Sequence, residues 1–162
     1  LAAIPIQHWT HVSGARVYLV DSPFIPMLDV QIDVDGGSRR DPAAQAGLAS
    51  VTADLLTAGV AAQGTAPALD ENQLAEAWAD LGASFGASAS GERFSLSLRS
   101  LTQPDLLQRA VALAARQLAA PAWPEAVSAL CEISCVAEAI CVTAVATRCS
   151  SDWCCCTCWF CA

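Results

Sequence analysis

The chain has 162 residues, enough for one domain with its own core or for one half of a larger domain. Sixteen acidic residues against eight basic ones give a formal charge of −8. That balance argues against nucleic acid as a partner, because a phosphate backbone demands a surplus of Lys and Arg. All eight basic residues are Arg, which together with the heavy Ala content is the mark of a GC-rich gene.

The first strand signal is RVYLV at residues 16–20. LDVQIDVD, residues 28–35, then alternates cleanly. Leu28, Val30, Ile32 and Val34 fall on one face and Asp29, Gln31, Asp33 and Asp35 on the other, the pattern of a half-buried strand. GGSRRDP (36–42) is a loop by its Gly and Pro content, and Arg39, Arg40 and Asp41 are expected to be solvated loop residues. A helix is predicted from about Gln45 to Ala58, ended by Gly59. Its apolar stripe is Leu48, Val51, Leu55 and Leu56, and Ser50, Ala53 and Asp54 are expected on the opposite side.

A second helix is predicted from about Glu71 to Leu81. Asp70 is a good N-cap with Gln73 three residues on, Leu74, Trp78 and Leu81 form the buried stripe, and Gly82 stops it. Two strand-like runs, 83–90 and 93–101, joined at Gly91-Glu92, predict a hairpin with Phe94, Leu96 and Leu98 facing inward and Arg93 and Arg99 exposed. A third helix begins after Thr102 with Pro104 and Asp105 in its first turn and runs to about Ala119. Leu106, Leu107, Ala110, Val111, Leu113, Ala114 and Leu118 give it a broad apolar face, and PAWP (121–124) breaks the chain. The expected fold is α+β, with helices packed on one face of a mainly antiparallel sheet.

The apolar stretch 126–147 is interrupted by Glu132 and Glu138, so no membrane span is expected there. Leu1 is not an initiator Met, and any export signal is expected upstream of it.

RVYLVDSPFIPMLDVQIDVDGGSRRDPAAQAGLASVTADLLTAGV resembles the N-terminal segment of the pitrilysin/insulinase family of zinc peptidases, the inverzincins. The likeness continues through LDENQLAEAWADLGASFGASASGERFSLSLRSL to PAWPEAV and covers roughly residues 6–127, an incomplete domain by that measure. In active members the helix after Gly-Leu-Ala carries H-x-x-E-H. Two His at i and i+4 share a helix face and hold Zn²⁺, and the Glu activates the metal-bound water. A third ligand, a Glu, comes from a helix some 75 residues further on in the family.

Laid on this sequence, the motif falls on Ser50, Val51, Thr52, Ala53 and Asp54. Ser50 is a poor zinc ligand, Ala53 cannot take or give a proton, and Asp54 alone could touch a metal. Glu132 falls near the position of the distal ligand by number, but the surrounding sequence no longer resembles the family. His8 and His11 lie far upstream and cannot substitute at helical spacing. The resemblance therefore implies a non-catalytic homologue with no zinc of its own. It is expected to pair with an active insulinase-type subunit in the periplasm and to help bind peptide, which in this family adds as a strand to an exposed sheet edge. A metal-binding or weakly active zinc peptidase centred on Asp54 is the alternative.

All nine Cys lie after residue 130, at 131, 135, 141, 149, 154, 155, 156, 158 and 161. Residues 128–162 are read as out-of-frame or non-homologous text, since a GC-rich Ala/Leu/Arg helix shifted by one base yields Cys and Trp codons. Two other readings stay open. One is a thiol metal module using the Cys155-x-x-Cys158 and Cys158-x-x-Cys161 spacings. The other is a disulfide cluster, which nine cysteines and adjacent pairs disfavour. A sheet cut short by such a tail leaves an edge unpaired, and self-association is the expected consequence.

Overall fold

The computed structural model describes residues 5–22 and 24–122 and, for the backbone, 140–143. Its frame is an antiparallel sheet of four strands in the order β6-β7-β3-β8, where β3 is Met27–Val34, β6 Ser84–Ala89, β7 Phe94–Leu101 and β8 Ile140–Thr143. The alternation of β3 sets its register on β7. Val30 lies opposite Leu98 and Ile32 opposite Leu96 on one face, while Asp29 lies opposite Arg99 and Asp33 opposite Ser95 on the other. A slip of one residue would turn the charges into the core, so the pattern fixes the pairing.

The apolar face receives the helices. α2 (Glu71–Asp80) opens with a capping box, in which the Asp70 carboxylate accepts from the Gln73 amide and the Gln73 side chain accepts from the Asp70 amide. It buries Leu74 and Trp78, and Leu81 just beyond it, against Ala110 and Ala114 of α3 (Pro104–Ala119). Trp78 stacks on Phe85 with ring centroids 5.9 Å apart, which joins the helices to β6. Gly82 closes α2 in the left-handed region at φ 57°, a conformation glycine adopts without steric penalty. The Arg116 guanidinium of α3 donates to the carbonyls of Ala61 and Pro67 and pins the 61–68 loop. Two short strands, β4 (Gly59–Val60) and β5 (Leu69–Asp70), close the base of that loop.

The α+β expectation holds, as do the three helices and the hairpin. Four details differ. A strand the sequence does not announce, β1 (Ile6–Thr10), pairs with β2 (Arg16–Val20) in a separate two-stranded hairpin. IQHWT mixes apolar and polar residues on both faces, so its period is faint. The first helix, α1, spans Leu48–Leu55 and not 45–58. Residues 43–45 form a 3-10 turn, Gly47 at φ 96° breaks the helix upstream, and three-residue turn hydrogen bonds at Thr57 and Ala58 end it before Gly59. The stripe of α1 is also rotated. Ala49, Ala53 and Leu56 join Leu48 in the core, and Val51 stands in solvent at 46% exposure. Small side chains at 49 and 53 suit the buried side of a helix that lies beside β6. Finally, Val111 of α3 is exposed, and the buried polar residue Gln117 takes a place in that helix's inner stripe.

Candidate functional site

The residues of interest sit on α1. GGSRRDP is ordered by its own charges. Asp35 accepts from Arg39 at 3.1 Å and also pairs with Arg40, while Arg39 approaches Glu92 of the β6–β7 turn at 3.8 Å. Arg39 and Arg40 thus act as loop structure, as the sequence suggests. Asp41 does more than sit on a solvated face. Its carboxylate accepts from the Gly47 amide at 2.9 Å and the Ala49 amide at 3.2 Å, satisfying free donors at the start of α1. The signal for this lay in the sequence as an Asp ahead of a helix, but the six-residue gap to Gly47 hid it. Asp41→Ala is expected to lower stability by about 1–2 kcal/mol in urea denaturation, the usual effect of losing a cap.

Along α1, Ser50 and Asp54 point to solvent. Ala53 does not join them, contrary to the expectation of one shared outward face. It is 2% exposed and belongs to the core. The three positions bring together one hydroxyl, one buried methyl and one exposed carboxylate. Zinc prefers imidazole, thiolate and carboxylate donors in a tetrahedral set, so this trio does not fit the ion. Among the described residues, no three His, Cys, Asp or Glu side chains converge as a metal site. His8 lies on β1 stacked beside Tyr18, and His11 shares a hydrogen bond with Ser13 at 2.9 Å, both remote in sequence from α1. Glu132 and the Cys-rich tail lie outside the described residues, apart from the backbone of Cys141 in β8.

Beside α1 runs β6, at the end of the sheet. Its inner edge pairs with β7 from Ser84–Arg99 to Ala89–Phe94. Among the described residues no strand pairs with its outer edge. Away from the helices, the sheet is polar. Arg99 pairs with Asp29, and Asp33 accepts from the Ser95 hydroxyl at 2.7 Å and the Gln31 amide at 3.1 Å, with Arg93 3.8 Å away. Arg93 and Arg99 are exposed as expected, but each has a carboxylate partner.

These contacts set a pH dependence. The Ser95 hydroxyl first, then Gln31, hold the Asp33 carboxyl below its ordinary range, and Arg40 does the same for Asp35. Carboxyls that are more acidic when folded add stability above the unfolded value of about 4 and lose it as pH falls below that. Acid titration of stability is expected to show a decline below about pH 4 that flattens in Asp33→Asn/Asp35→Asn.

Residues 16–129 match the family described as Insulinase (Peptidase family M16). The chain belongs to the insulinase family. Within it, this domain lacks the H-x-x-E-H residues at the positions where α1 would present them. The fold is similar to that of the peptidase M16 inactive domain from Pseudomonas fluorescens, at 32% identity and a TM-score of 0.65 over 79% of this chain and 29% of that one. A protease from Helicobacter pylori shares the fold at 16% identity and a TM-score of 0.58, over 77% of this chain and 28% of that one. The chain thus spans under a third of the length of either solved relative. No curated protein matches. No helix among the described residues is long and apolar enough to cross a membrane.

Proposed function

We propose that this insulinase-family domain is a non-catalytic unit that holds extended peptide along the outer edge of β6 and pairs with an active insulinase-type subunit, in the periplasm. One observation carries the reading: the helix that would bear the zinc residues keeps its seat on an edge strand but has lost its ligands. Hydrolysis needs the ligands and the general base, whereas strand addition needs only free main-chain groups. Losing the first leaves the second intact. Asp54, exposed and with no imidazole, thiolate or second carboxylate on α1, gives the weak-peptidase alternative no support.

Main-chain recognition makes a distinctive forecast for fluorescence anisotropy. An unstructured peptide of about ten residues should bind with similar affinity after its sequence is scrambled, because the backbone is what pairs. The same peptide N-methylated at alternate residues should bind at least about tenfold more weakly, having lost its donors. Equal binding of the methylated peptide, or none by any of the three, rules out the edge. Addition of this chain to an active insulinase-type subunit should raise that subunit's peptide hydrolysis, and an unchanged rate would remove the pairing role.

A further inference from the structure

Exposed large apolar side chains are concentrated at one end of the described chain: Ile6, Trp9, Val12, Tyr18, Phe24 and Ile25. Four of them lie on the β1–β2 hairpin, which stands outside the four-stranded sheet with β2 turned toward β8. All five residues of β1 are exposed, and among the described residues its outer edge pairs with nothing. β2 buries Val17, so the hairpin is anchored through β2 alone, and a two-stranded ribbon whose outer strand is wholly exposed gains stability from further strands. Natural sheet edges are usually protected by charge or proline; Ile6–Thr10 carries neither, with Pro5 placed just before the strand.

We propose that the β1 edge pairs with the β1 edge of a second copy of this chain, giving a four-stranded sheet β2-β1-β1-β2 across a twofold axis. Charge selects this occupant. Residues 1–20 contain no acidic residue although the chain carries sixteen, so two hairpins meet without the repulsion that other surfaces of a −8 molecule impose. A strand of five residues overlaps itself fully in one antiparallel register only, centred on His8. That register sets His8 opposite its own counterpart, Gln7 opposite Trp9 and Ile6 opposite Thr10, with no formal charge at neutral pH. The stacked His8 and Tyr18 rings and Ile6 of each copy then share one face across the axis, with Arg16 opposite Thr10 away from the centre. This association involves the opposite end of the molecule from β6 and does not depend on the peptide-binding reading.

Sedimentation equilibrium of the full chain in reducing buffer, from about 5 to 200 µM, tests it. Dimer is expected to accumulate across that range. His8→Lys sets two ammonium groups against each other on the axis and should weaken association at least about tenfold. His8→Tyr, which keeps the position neutral, should retain the dimer. Because residue 8 is exposed, circular dichroism and the urea midpoint of both variants should match the parent at concentrations low enough for the chain to be monomeric. A monomer throughout the range, or a dimer indifferent to His8→Lys, overturns the proposal. Association that needs lipid vesicles or an added protein overturns it as well.

Discussion

Replacing Gln117 with Ala is expected to remove about 3–5 kcal/mol of folding stability, read as a lower urea midpoint. Gln117 is 1% exposed and lies where three helices converge. Its carbonyl accepts the Trp78 indole N–H at 3.1 Å, and its amide donates to the Leu56 carbonyl at the end of α1, at 2.6 Å. Truncation strands a buried donor and a buried acceptor at about 1–3 kcal/mol each, and it leaves a void. For a domain of this size, that is a large share of the total. Gln117→Met keeps most of the volume and none of the hydrogen bonds, so its loss should be smaller by the cavity contribution. A loss below about 1 kcal/mol for Gln117→Ala would mean that Trp78 and Leu56 find other partners.

The second large effect belongs to the degenerate helix. Ala53→Glu is expected to cost about 3 kcal/mol or more, since a carboxylate must enter a position that is 2% exposed or force α1 away from β6. Ser50→His and Asp54→His, on the solvent side, should each change stability by no more than about 0.5 kcal/mol. Rebuilding the family's motif thus falls on one residue. The asymmetry would be absent if Ala53 faced the same open surface as its neighbours. Three urea titrations of the single variants decide between the two arrangements.

Much of this architecture was legible in the sequence because local chemistry and tertiary demand agree. Asp70 and Gln73 mark a helix start, Gly82 a helix end, and the alternation of 28–35 a half-covered strand, and each appears as read. The degenerate positions could be placed by their spacing after Gly-Leu-Ala, and the helix stands there. What a helical wheel could not give was its rotation. The wheel weights Val51 and Leu55 over Ala49 and Ala53, whereas close packing on β6 favours the small residues. Gln117 was invisible for a related reason. A polar residue in an apolar stripe reads as an exception until its two partners, 39 and 61 residues away in sequence, are brought beside it. The hairpin strand β1 escaped because neither of its faces is buried, so no periodicity was imposed on it.

Zinc chemistry at α1, which the proposed function excludes, is tested most directly by stripping the protein with chelator, alkylating its thiols and adding back zinc before assaying a peptide. The expected result is no retained stoichiometric zinc and no hydrolysis above the buffer rate, with Asp54→Ala indistinguishable from the parent chain. One zinc per chain, with chelator-sensitive cleavage that vanishes in Asp54→Ala, would contradict it.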